Sequence, residues 1–232
     1  MRAADLSEIR KLDLFQSMDE DHFAALMKAA YFQTFPTGMQ LITEGDMADF
    51  LFVVVEGCVE LFAATNGREA TMAMVKPVGT FILAAVLKDA VYLMSARTCA
   101  KSRVLMIPSQ NVRNAFVKDD SFARAIVSEL ASCYRAVVRD NKDHKLRTAV
   151  ERLANRLIKY HTCQGETGSL TLPYDKKTLA SLLGMTPENL SRAFGTLKPY
   201  GVEVDGAKVT LSDIKSLTTL AKPNPLIDVR KA

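Results

Sequence analysis

Residues 176–211 read KKTLASLLGMTPENLSRAFGTLKPYGVEVDGAKVTL, and their spacing decides the fold. Leu179, Leu182 and Leu183 fall on one face of a short helix. Gly184 follows, where a sharp turn asks for positive φ. Thr186 offers an N-cap oxygen and Pro187 has no N–H to leave unpaired, so a second helix is expected from Pro187 to about Lys198. Leu190, Phe194 and Leu197 would bury against the first helix, leaving Glu188, Asn189, Ser191 and Arg192 on the other face. Val202, Val204, Val209 and Leu211 alternate around Asp205-Gly206 as a hairpin does. Two helices with a tight turn, polar groups at the start of the second, and a hairpin behind it form a winged helix-turn-helix.

The exposed residue types suit the edges of base pairs. Arg192 can donate two hydrogen bonds to guanine O6 and N7, Glu188 can accept from cytosine N4, and Ser191 can reach a base edge or a phosphate. Thr186, Asn189, Lys177 and Lys208, the last near the hairpin tip, complete the expected DNA-contacting set. Glu188 and Arg192 stand four apart, so an ion pair between them is expected to hold Arg192 in place. On a solvated helix such a pair carries no message; following a helix–Gly–Thr-Pro start, it does. Charge agrees: residues 1–141 hold 15 Lys and Arg against 17 Asp and Glu, whereas residues 142–232 hold 15 against 9.

Upstream, Ser121 to about Asp143 lacks Gly and Pro and reads as one long helix. Phe122, Ile126, Leu130, Cys133 and Val137 make a narrow apolar seam along it, expected to pair with a second copy of the chain. From Tyr31 to Ile107, short runs of Val, Phe, Thr and Leu alternate with turns such as Glu44-Gly-Asp46 and Asn66-Gly67, the texture of an antiparallel β-roll. Residues 81–87 fit either a strand or a short inserted helix. Residues 5–30 read as short helices, with Ser17 as an N-cap, and the tail after Lys222 as irregular. The fold class is therefore α+β, divided into a roll at 1–118, a dimerisation helix at 119–143 and a DNA-binding domain at 144–232.

No window is apolar enough for a membrane span and no signal peptide is visible, so a cytoplasmic protein is expected. Cys58, Cys99, Cys133 and Cys163 show no C-x-x-C spacing, which argues against a local zinc or iron–sulfur site. The roll contains no histidine, since the three are His22, His144 and His161. With no clustered metal ligands and no nucleophile–base pair, a cupin-like enzyme is disfavoured and no catalytic residue is expected.

Over nearly its full length this sequence resembles the Crp/Fnr family of bacterial regulators. The roll with Glu44-Gly-Asp46, the segment from Phe52 to Leu61, the long helix and the winged helix come in that family's order. Leu183-Gly-Met-Thr-Pro-Glu188-Asn-Leu-Ser191-Arg192 is similar to the E-x-x-S-R pattern of Fnr-type members. The resemblance implies a homodimer that reads a TTGAT-N4-ATCAA-like palindrome and works with RNA polymerase. The sequence departs from cyclic-nucleotide-binding members at the sensor. Ala84 stands where they have the ribose-holding glutamate, and Met94 where they have the phosphate-holding arginine. An anionic nucleotide would lack a charge partner there, so cAMP is disfavoured. Arg97 lies close enough along the chain to be a surrogate. The cysteine cluster of iron–sulfur members has no counterpart before Cys58. The expected effector pocket comprises Phe81, Leu83, Ala84, Tyr92, Met94 and Arg97, and haem, another apolar ligand, a redox event at a thiol such as Cys163, or no effector at all stay open.

Overall fold

The computed structural model describes residues 1–228. It divides into two compact units, with the boundary between Cys133 and Tyr134.

The first unit opens with α1 (Ala3–Arg10) and α2 (Glu20–Ala29). The roll follows: β1 (Tyr31–Phe35), β2 (Gln40–Ile42), β3 (Phe50–Glu56), β4 (Val59–Thr65), β5 (Arg68–Val75), β6 (Thr80–Phe81), α3 (Leu83–Lys88), β7 (Ser95–Thr98) and β8 (Ser102–Pro108). Then come α4 (Ser109–Lys118) and α5 (Asp120–Leu146), the last crossing the unit boundary. Two four-stranded antiparallel sheets form, in the orders β1-β8-β3-β6 and β2-β7-β4-β5. Asn66 and Gly67 turn the β4–β5 hairpin with positive φ at both positions, as a two-residue hairpin loop demands. Leu51, Val53, Val54, Val104, Leu105 and Ile107, drawn from both faces of the β3–β8 pair, belong to the unit's buried core. β3 is buried for five consecutive residues because α3 and α4 cover it from outside, so alternation disappears there.

One open reading is resolved and two local expectations change. The ambiguous segment 81–87 contains a helix, entered through Ile82 at φ +68° and left through Asp89 at φ +52°. The N-cap of α2 is Asp19 rather than Ser17, because the Asp19 carboxylate accepts from the backbone N–H groups of Asp21 and His22. The proposed seam of α5 is corrected at its first two positions. Phe122 and Ile126 are 0% exposed and packed into their own chain's core, Phe122 stacked on Phe15 at 6.0 Å between ring centroids. They have no face left for a second copy. Leu130 is half-buried, Cys133 is exposed, and the exposed apolar residues of α5 include Val127, Tyr134, Val137 and Val138.

The second unit continues with α6 (Ala149–Cys163), β9 (Ser169–Thr171), α7 (Lys176–Leu182), α8 (Pro187–Leu197), a 3-10 turn (Lys198–Tyr200), β10 (Val202–Asp205), β11 (Lys208–Leu211), α9 (Ile214–Ala221) and α10 (Pro225–Asp228). Thr148 and Glu151 cap α6 reciprocally, each side chain taking the other's backbone N–H. Leu153, Leu157, Leu179, Leu183, Leu190, Leu197 and Val209 form its core. β9 pairs with β11, so the hairpin is part of a three-stranded antiparallel sheet. The tail is more ordered than expected: Arg147 binds the Asp228 carboxylate through two nitrogens, at 2.7 and 2.6 Å, and Asp143 at 2.8 Å. Residues 229–232 lie outside the described part. Among the described residues no helix is long and apolar enough to cross a membrane.

Candidate DNA interface

α7 begins at Asp175, whose carboxylate accepts from the Thr178 N–H at 2.7 Å. It ends at Leu183, and Gly184 turns the chain at φ +60°. A Cβ built on Gly184 would lie 2.6 Å from the His144 ring, so a larger residue here would also require that exposed ring to shift. Arg152 ties the end of α7 down, with Nε donating to the Leu183 carbonyl at 2.9 Å and Nη1 to the Arg147 carbonyl at 2.8 Å.

Thr186 caps α8, its hydroxyl oxygen accepting from the Asn189 N–H at 3.3 Å, and Pro187 takes the first helical position. Leu190, Ala193, Phe194 and Leu197 are buried, while Glu188, Asn189, Ser191 and Arg192 are exposed. The expected Glu188–Arg192 ion pair is absent among the described residues. The Glu188 carboxylate is instead held at the helix start. Its own backbone N–H, then the Thr186 hydroxyl and the more distant charge of Arg192, keep it below the usual carboxylate range. Arg192 is left reaching outward without a carboxylate clamp.

Lys177 is exposed in the first turn of α7, and Lys208 is exposed beside the turn of the β10–β11 hairpin, opposite Asp205. Two lysines were not singled out from sequence. Lys176 and Lys198 line a cleft of about 260 Å³ beside α8, together with Ser191 and Phe194. Nothing in the local sequence marks either, because the cleft is made where α8 meets β10. Arg152 and His144 were likewise missed, since their partners lie 31 residues or more along the chain.

In the roll, the expected pocket residues do not share one environment. Phe81, Leu83 and Tyr92 are core residues, Phe81 stacked on Phe52 at 5.0 Å. Ala84 is exposed on α3 and Met94 is half-buried. Arg97 is bound by two carboxylates, Glu60 at 2.8 Å and Glu69 at 2.9 Å. Among the described residues no three His, Cys, Asp or Glu side chains gather as a metal site would need.

Residues 32–119 match the cyclic nucleotide-binding domain, and residues 151–220 match the Crp-like helix-turn-helix domain. A protein of Ruegeria pomeroyi DSS-3, described as a candidate cyclic nucleotide binding protein, is 30% identical, covers 96% of this chain and 100% of its own, and superposes with a TM-score of 0.60. The chain belongs to the Crp/Fnr family. Within that family, the CRP-like cAMP-activated global transcriptional regulator of Mycobacterium tuberculosis is 23% identical over 220 residues, 92% of this chain and 98% of its own. A candidate Crp/Fnr regulator from Eubacterium rectale shares the fold, with a TM-score of 0.75 at 18% identity over 91% of this chain and 99% of its own. This Crp/Fnr member is thus a DNA-binding transcription regulator with a cyclic-nucleotide-binding-type domain.

Proposed function

We propose that the protein acts as a homodimer that reads a TTGAT-N4-ATCAA-like inverted repeat, its DNA affinity set at the roll by a signal other than cAMP. The observation that carries the reading is the exposed start of α8, where Glu188, Ser191 and Arg192 stand on one face of a helix capped by Thr186. Arg192 takes guanine O6 and N7, Glu188 takes the N4–H of the paired cytosine, and Ser191 takes a neighbouring base or phosphate. Asn189, Thr186, Lys177 and Lys208 position the helix on the backbone. The outward apolar residues of α5, Val127, Tyr134, Val137 and Val138, support pairing of two copies, with Leu130 and Cys133 beside them. A dimer of this kind sets two recognition helices about 34 Å apart, one turn of DNA. By family analogy the bound dimer engages RNA polymerase, and the protein is not an enzyme.

The charge balance of the roll argues against cAMP. The phosphate would meet Met94, and the neighbouring Arg97 already has Glu60 and Glu69 as counter-charges. A regulator that needs no small-molecule effector is a second reading, favoured by Phe81, Leu83 and Tyr92 filling the core with their own side chains. The test is selection from a pool of random duplexes with the purified protein at fixed salt. Recovery of inverted TTGAT-type repeats is the expected outcome; recovery of unrelated sequences would overturn the half-site assignment.

A further inference from the structure

Cys58 and Cys99 are far apart in sequence and face each other in the fold. The β4–β7 ladder runs from Phe62↔Ser95 to Val59↔Thr98, and the next opposed pair is Cys58 and Cys99. The Cys99 N–H donates to the Cys58 carbonyl at 2.9 Å, continuing the ladder by one bond. Their thiols lie within hydrogen-bonding reach of each other. Directly opposed antiparallel residues have Cα atoms roughly 4.5–5.5 Å apart, inside the window of about 4.4–6.8 Å that a disulfide spans.

The surrounding turn holds this pair in place. The buried Ser102 hydroxyl oxygen accepts from the Cys58 N–H at 3.1 Å and sits 2.8 Å from the Ala100 carbonyl, joining the β3–β4 turn to the β7–β8 turn. Gly57 lies so close to Ser102 that a Cβ would overlap its hydroxyl, so the two turns cannot drift apart without losing that packing. Cys58 is half-buried and Cys99 exposed, which leaves the pair open to a small oxidant.

We infer that Cys58 and Cys99 form a reversible redox modification site in the roll, closing to a disulfide with a hydroperoxide as oxidant. The two thiols differ as attacker and resolver should. The hydrogen bond from Cys99, helped by the charge of Lys76, draws the Cys58 thiol below its ordinary pKa against the effect of burial. The Cys99 thiol, donating that bond, is pushed up. The Cys58 thiolate attacks one peroxide oxygen and the O–O bond breaks; the departing hydroxide takes a proton to become water, leaving Cys58 as a sulfenic acid. The Cys99 sulfur then displaces the sulfenic oxygen, which leaves as a second water with the Cys99 proton. Two thiols are oxidised by two electrons and one peroxide is reduced to two waters. A dithiol reverses the step by exchange at the exposed sulfur. The chemistry is independent of how the protein reads DNA.

The test uses the full chain, reduced and then exposed to a small excess of hydrogen peroxide. Remaining thiols are alkylated under denaturing conditions and the peptides mapped by mass. The four titratable thiols of the chain should fall to two, with one cross-linked peptide joining Cys58 to Cys99, and dithiothreitol should restore all four. A Cys133→Ser/Cys163→Ser variant should form the same cross-linked peptide, its two remaining thiols falling to none and returning with dithiothreitol, which keeps the test valid if Cys58→Ser or Cys99→Ser fails to fold. Cross-linking through another cysteine, Cys58 oxidised to a sulfinic acid beside an intact Cys99 thiol, or four surviving thiols would each overturn the assignment.

Discussion

Arg97 on β7 reaches across to Glu60 on β4, Nε to Oε2 at 2.8 Å, while its terminal nitrogens hold Glu69 and its guanidinium covers the Phe62 ring at 4.3 Å. The other oxygen of Glu60 accepts from the Thr71 hydroxyl at 2.5 Å. This places a satisfied cation where the resemblance raised the prospect of a phosphate-binding one. Arg97→Ala should therefore act on stability, costing about 1–3 kcal/mol because Glu60 stays buried with one partner fewer. A lower urea midpoint for the first unit is the readout. Millimolar cAMP should give no saturable heat with the wild-type protein in calorimetry; saturable binding that Arg97→Ala abolishes would contradict this account of the roll.

The two sides of α5 should separate cleanly in mutants. Tyr134 is 70% exposed and Val137 64%. Tyr134→Glu or Val137→Glu should leave the far-UV circular dichroism unchanged and shift sedimentation equilibrium from dimer towards monomer. Phe122→Ala should instead destabilise the first unit by about 3–5 kcal/mol, as for any large ring removed from a packed core. A Tyr134→Glu protein that stays fully dimeric would place the dimer contact elsewhere.

Gly184 meets two demands, the left-handed φ and the space under His144. Gly184→Ala should lower the stability of the second unit by about 1–2 kcal/mol from backbone strain alone, with a further loss from the imidazole contact. Adding His144→Ala should recover the contact part and leave the φ part. Chemical denaturation of the four proteins of this double-mutant cycle measures both; purely additive losses would show that the ring moves aside without cost.

The Arg147–Asp228 pair gives the second unit a defined response to acid. Burial works to raise the Asp228 pKa, but hydrogen bonds from Arg147 and the Asn224 backbone overcome it, and the net value lies below the ordinary 3.8. A depressed folded-state value means stabilisation that is present above the unfolded pKa and lost as pH falls through the folded one. The contribution should be roughly 1 kcal/mol, because the partly exposed pair is screened by solvent. Wild type and Asp228→Asn should differ in stability at pH 7 and converge below about pH 4. A difference independent of pH would assign the effect to packing.

The recognition unit was legible in sequence because its signals are local. Thr186-Pro187 marks a helix start and Gly184 a turn, whatever surrounds them. α5 was legible as a helix and not in its facing. Its apolar residues lie on two sides, Phe122 and Ile126 towards the core and Tyr134 and Val137 outward, and periodicity cannot say which stripe meets its own chain. The helix at 83–88 escaped a firm reading because a non-glycine residue, Ile82, supplies the left-handed entry. Long-range pairs left no local trace: Cys58 with Cys99 needed the β4–β7 register, and Arg147 with Asp228 spans 81 residues. The missing Glu188–Arg192 pair follows from competition, since the start of α8 offers Glu188 nearer donors.

The base-reading role of Glu188 and Arg192 is the central claim, and anisotropy titration of reduced protein onto a TTGAT-N4-ATCAA duplex at fixed salt addresses it most directly. The comparison duplex has the G·C pair of each half-site inverted. The account predicts that each inversion weakens binding by about 1–3 kcal/mol, and that Glu188→Ala and Arg192→Ala each erase most of that difference. Equal affinity of the wild-type protein for both duplexes would contradict it.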